Sequence, residues 1–241
     1  MVESRPQRDY SLALHAFTAS GVLVGMAALV AVLDGSARAA IAWLLVAQLI
    51  DGIDGPLARR LLPDDDEPVY DGYVLDLVID FVTCVLVPAA FLWQFDMIPH
   101  DRYGMLVIAA LLMTSSLWFS RTDQISDDGW FRGFPSAWNM VVPTLWIMGG
   151  NTITNVAVIV VLSVLTLSRV EFAHPVRTTQ WRRTHLVAML AWIAAVVIAL
   201  VMDEDVVFPV QLALMVGPVV ILSLVTFRAL GHASDDRLIE R

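Results

Sequence analysis

The sequence predicts an all-α polytopic membrane protein with about eight transmembrane helices. Three observations predict it. First, 58% of the 241 residues are hydrophobic and only 16% are charged, too apolar a mix for an ordinary water-soluble domain. Second, a helix needs about 20 apolar residues to cross a bilayer. Apolar runs recur at 13–33, 38–62, 73–95, 103–121, 136–150, 152–173, 184–202 and 206–229. Third, the basic residues, all 15 of them arginine, are unevenly shared between the connecting segments. With the N-terminus placed in the cytoplasm, 13 arginines fall on inside segments, and only Arg38 and Arg102 fall outside. The positive-inside rule then expects both termini in the cytoplasm. The formal charge of −9 gives no support to nucleic-acid binding.

Taken in order, the first run follows a polar start with Arg5 and Arg8 and lacks an A-x-A cleavage pattern, so it reads as a retained span. His15 reads as an interfacial polar cap on it. The second run ends in Asp51-Gly-Ile-Asp54-Gly55-Pro56, where the proline is expected to bend or open the helix. The segment 63–71 carries five acids and reads as a solvated turn, its prolines stopping one helix before Gly72 starts the next. Cys84 lies inside the third run; as the sole cysteine it can form no intrachain disulfide, and it reads as a small buried hydrophobe. The fifth run is short and holds Pro143, so it is expected to kink. Gly149-Gly150-Asn151 predicts a tight turn into the sixth. Residues 232–241 are polar and are expected to fray.

The chemistry concentrates in 51–80. On helices, Asp51 and Asp54 are i,i+3 neighbours, and Asp76 and Asp80 are i,i+4 neighbours, so each pair shares a face. Carboxylates brought together repel, and protons or cations must neutralise them. An oxygen-only set suits Mg²⁺, Mn²⁺ or Ca²⁺, and a carboxylate-bridged ion pair is a common device of phosphate chemistry. Gly55 and Ala58 leave the backbone approachable. Arg59 suits either an anion or a neighbouring acid.

These residues carry a resemblance. The pattern D-x2-D-G-x2-A-R, a spacer, then G-x3-D-x3-D is similar to the signature of the CDP-alcohol phosphotransferases. All its positions are matched, by Asp51, Asp54, Gly55, Ala58, Arg59, Gly72, Asp76 and Asp80. The spacer, 60–71, is longer than the family's usual one. With Asp-Gly-Ile-Asp-Gly-Pro, it resembles the bacterial phosphatidylcholine synthase branch. The resemblance implies a single domain over 1–241, with a six-span catalytic core at about 13–173 and two added helices at about 184–229. It implies transfer of the phosphatidyl group of CDP-diacylglycerol to choline, with CMP leaving, at a site facing the cytoplasm of a bacterial inner membrane.

By the same resemblance, Asp51, Asp54, Asp76 and Asp80 would hold Mn²⁺ or Mg²⁺, two ions in all, with Asp80 also the general base. Thr18, Gly55, Ala58, Arg59 and Gly72 would line the CDP site. Thr18 stands where relatives carry an Asn-x-x-Thr, although a threonine at a helix contact is as ordinary. The aromatic segment 130–138 suggests Trp138 and Asn139 for choline, since aromatic faces recognise quaternary ammonium groups. An interfacial aromatic belt accounts for the same residues. Arg169 and Arg177, in a polybasic loop, suit lipid phosphates. Membrane lipids and a homodimer partner are implied as well. The alternatives are another alcohol acceptor (serine, inositol or glycerol phosphate), an ion-coupled transporter, and a non-catalytic lipid-binding scaffold. Against transport, the acids cluster at one helix end, and Gln48 is the only strong polar group above them in the second run.

Overall fold

The computed structural model describes residues 5–61, 71–174, 178, 181–202 and 207–239, with the side chains of 5–12, 54–56, 58–61 and 229–239 outside the description. Eight helices account for most of these residues. They fall into two compact units, Met1–Phe95 and Asp96–Arg241.

The first unit holds α1 (Arg5–Leu33), α2 (Ala37–Leu61) and α3 (Gly72–Gln94). Gly35 turns α1 into α2 at φ +72°, with its N–H on Val32 O and the Ser36 N–H on Ala31 O. This is a glycine-closed helix end. Small and branched residues let α1 and α2 pack closely, with Ala28, Ala40 and Ile41 fully buried. α1 meets α3 through glycines. A methyl on Gly21 would stand 2.9 Å from Ile79 Cγ2, and one on Gly25 3.1 Å from Thr83 Cγ2. At the start of α3, a methyl on Gly72 would stand 3.1 Å from His15 Cε1. Residue numbers rise together along these three contacts, so α1 and α3 run parallel, as alternating spans require. α2 continues as helix through Pro56.

α3 starts on a cap that the sequence pattern did not announce. The Asp71 carboxylate accepts from the Tyr73 and Val74 N–H groups at 3.0 and 3.1 Å. One of the five acids of the 63–71 segment is thus a helix cap. Asp71→Ala is expected to lower stability by about 1 kcal/mol, read as a lower Tm in detergent, with Asp71→Asn close to wild type.

The second unit holds α4 (Arg102–Phe119), α5 (Trp138–Ile147), α6 (Thr152–Thr166), α7 (Arg182–Val201) and α8 (Phe208–Ile239). The turn expected at 149–151 is present. Gly149 adopts φ +64°, the Gly150 N–H reaches Leu145 O, and Asn151 caps α6 through the Thr154 N–H at 2.9 Å. Two boundaries differ from the sequence expectation. The sixth run does not stay helical to 173: α6 ends at Thr166, and Glu171–Ala173 (β2) pairs antiparallel with Trp130–Arg132 (β1). Gly133 permits this, because at φ +83° a methyl there would collide with Thr166 O. At the chain's end, α8 stays helical to Ile239 instead of fraying from 232.

α8 is tied to the strand pair by Arg228. Its guanidinium bonds Asp128 at 2.6 Å and Glu171 at 2.7 Å, and it lies over the Trp130 ring at 5.0 Å. Burial alone would raise the Asp128 pKa, but hydrogen bonds from Ser126 and Arg228 outweigh it and hold the carboxyl low. Nearby, hydrogen bonding to Arg121 pulls Asp123 down to about 2, so this cluster is ionised at neutral pH. Arg228→Met is expected to cost about 2 kcal/mol, the scale of lost charge-assisted bonds, seen as a lower Tm without a change in either substrate's KM.

Among the described residues, five helices are long and apolar enough to cross a membrane: Ala13–Leu33 within α1, α3, α4, α7 and Phe208–Arg228 within α8. α6 is apolar but shorter. α5, at ten residues, is about 15 Å long, half a bilayer core. Large apolar side chains face outward, Ile153 at 82% and Val201 at 78% exposure among them. Such a surface is stable only in lipid. The chain is an all-α polytopic membrane protein.

Candidate active site

Asp51 sits near the C-terminal end of α2, and Asp76 and Asp80 lie on the first turns of α3. Because the two helices connect at that end, the three carboxylates converge: one oxygen from each lies within 4.8 Å of the others. Asp51 is exposed, and Asp76 and Asp80 are half-buried. At that separation two charges repel by about 1 kcal/mol in water and about 3 kcal/mol at the effective dielectric of a protein surface. Three carboxylates held this way could hold a metal ion. The donors are all oxygen, as hard divalent ions require.

The other expected residues of this unit divide in two. Asp54, Gly55, Ala58 and Arg59 lie on the helical backbone of α2, and their side chains are outside the described residues. Beside Asp51, no described side chain lies within 4 Å of where a Cβ on Gly52 would stand. Thr18 is buried on α1 at 8% exposure. The α1–α3 contacts, 15 to 72 and 21 to 79, set it at the level of Asp76. A side chain at Gly72 would crowd the His15 ring, at 3.1 Å from its Cε1.

Comparison with known proteins decides the family. The chain is 37% identical to the phosphatidylcholine synthase of Pseudomonas aeruginosa over 180 residues, 75% of each chain. It is 36% identical to that of Mesorhizobium japonicum over 190 residues, 79% of this chain and 70% of the other. It is 34% identical to that of Bradyrhizobium diazoefficiens over 239 residues, 99% of this chain and 85% of the other. The chain belongs to the phosphatidylcholine synthase family. No family model matches it.

Family membership agrees with the branch expected from the long spacer and gives the acid cluster its context. The remaining candidate residues lie in the second unit. The Trp138 ring is fully buried, and its Nε1–H donates to Ser115 Oγ at 2.9 Å. Phe134 meets it edge-on at 5.2 Å. As placed, the ring is core, with no open face for a cation. Trp138→Phe is expected to lower Tm by the equivalent of about 1–2 kcal/mol and to leave the KM for choline within about twofold. Asn139 is buried next to it. Arg169 is exposed just past α6. Arg177 lies outside the described residues.

Two features beside the acids were not expected from the sequence. The Cys84 thiol points back one turn, its S–H donating to Asp80 Oδ1 at 3.9 Å. The turn Phe81–Leu86, directly after Asp80, is a π-helix, with the Val87 N–H reaching Val82 O. Pro88 was the available signal. It has no N–H for the Cys84 carbonyl, and its ring crowds that carbonyl, so the helix must widen just before it.

Proposed function

We propose that this chain is a phosphatidylcholine synthase, transferring the phosphatidyl group of CDP-diacylglycerol to choline with release of CMP. The observation that carries this reading is the convergence of Asp51, Asp76 and Asp80 in a chain of this family. In it, these three carboxylates and Asp54, one turn on from Asp51, hold two divalent ions, Mn²⁺ or Mg²⁺. When bound, such ions neutralise the diphosphate and make its phosphorus more electrophilic.

Asp80 takes the proton of the choline hydroxyl, for which it must come within about 3 Å. The choline oxygen bonds to the phosphorus that carries diacylglycerol. The bond from that phosphorus to the CMP oxygen breaks, and CMP leaves with the electron pair. The open backbone at Gly52, together with Gly55 and Ala58, gives the nucleotide room; Thr18, Arg59 and Gly72 complete its surroundings. Choline has no phosphate and needs no arginine cluster, and its fixed positive charge is drawn to the acids. Trp138 and Asn139 are buried in the second unit. Arg169 and Arg177 attract lipid phosphates. The site faces the cytoplasm of the inner membrane with both termini on that side, a reading supported by the arginine bias. A homodimer follows from the family resemblance.

The test is an acceptor panel. Purified protein with CDP-diacylglycerol and Mn²⁺ is given choline, serine, inositol or glycerol 3-phosphate, and CMP release is measured. Release with choline alone supports the proposal. Release with serine or inositol instead keeps the acid site and replaces the acceptor.

A further inference from the structure

We propose that the widened turn Phe81–Leu86 is a positioning element for Asp80, with Thr83 and Pro88 its working residues. This rests on the role given to Asp80 as the base.

A π turn inserts one residue into the helix and so rotates the two flanking helical segments relative to each other. Here the N-terminal segment is the short stretch Gly72–Asp80, which carries both Asp76 and Asp80. Pro88 lies just past the turn and gives a chemical reason for it, by the missing N–H and the crowded Cys84 carbonyl. Thr83 closes the turn from within. Its hydroxyl donates to Ile79 O at 3.1 Å, tying the turn back to the segment that carries Asp80. Thr83 is buried at 4% exposure, and its methyl seats against Gly25 of α1. One turn earlier on each helix, Ile79 seats against Gly21. A β-branched side chain has a stiff χ1, so the hydroxyl and methyl together hold α3 at one rotation about its axis. Ile79 and Thr83, pinned in this way, flank Asp80. On the next turn, Cys84 places its S–H on Asp80 Oδ1. The carboxylate is thus fixed by its helix and touched by a weak donor.

Two variants separate positioning from simple stability. Thr83→Val keeps the shape and removes the hydroxyl. Pro88→Ala removes the reason for the wide turn and restores a good helix former. Both are expected to lower kcat by about tenfold to a hundredfold, the cost of a misplacement on the order of 1 Å. KM for choline and CDP-diacylglycerol should stay within about twofold. Thr83→Ser, which keeps the hydroxyl, should recover most of kcat. Pro88→Ala should not lower Tm, which a purely structural role for the turn would require. Wild-type kcat in both variants overturns the proposal, as does a loss of activity that follows Tm across the set. Should Thr83→Val fail to express, Pro88→Ala and Thr83→Ser decide. Asp80→Asn, run alongside, keeps the two readings apart: if it retains activity, the assignment of Asp80 fails. If it is inactive while Thr83→Val and Pro88→Ala are normal, only the positioning role fails.

Discussion

Asp80→Asn is expected to cut CMP release by about 10²–10⁴-fold, the span that a positioned acid–base group contributes. The substitution keeps the size of the side chain and one oxygen, so helix packing survives. It removes the negative charge and the basic site. The loss should fall on kcat, with the Tm of the purified protein unchanged. Asp80 is half-buried on a helix packed at Gly21 and Gly25. Retained activity would assign the proton to another group, and the Cys84 contact would then be one of packing.

The second large effect is metal removal. Three carboxylates whose oxygens lie within 4.8 Å of one another cannot bind a diphosphate unless their charge is offset. EDTA is expected to abolish CMP release, and Mn²⁺ or Mg²⁺ in excess to restore it. Asp51→Asn and Asp76→Asn should raise the metal concentration needed for half-maximal rate. Activity that survives exhaustive chelation would remove the ion from the account. It would leave the carboxylates to act as bases or through protonation alone.

Much of this was legible in the sequence because long apolar runs announce themselves. The start of α3 at Gly72, the Gly149–Asn151 turn and the pairing of acids on shared helix faces all come from local rules of spacing. The short strand pair 130–132 with 171–173 did not, since it joins segments about 40 residues apart and three-residue strands have no periodicity to detect. The tail's polarity suggested fraying, yet Ala, Leu and Arg sustain helix there. Asp71 was hidden among neighbouring acids whose plain reading was a solvated turn. Pro88 stood inside an otherwise convincing span, and its effect falls on the turn before it, where the sequence shows only apolar residues, Thr83 and Cys84. Trp138 drew the choline assignment because an aromatic beside a membrane suits both an anchor and a cation site. Its burial and its bond to Ser115 depend on contacts that no local pattern encodes.

The central claim is tested most directly by following the acceptor into the lipid. Purified protein in liposomes is given CDP-diacylglycerol, Mn²⁺ and isotopically labelled choline, and both lipid and nucleotide are analysed. The account predicts label in phosphatidylcholine, with one CMP released for each labelled lipid formed. Unlabelled lipid with no CMP would contradict it, and so would CMP released without label entering phosphatidylcholine.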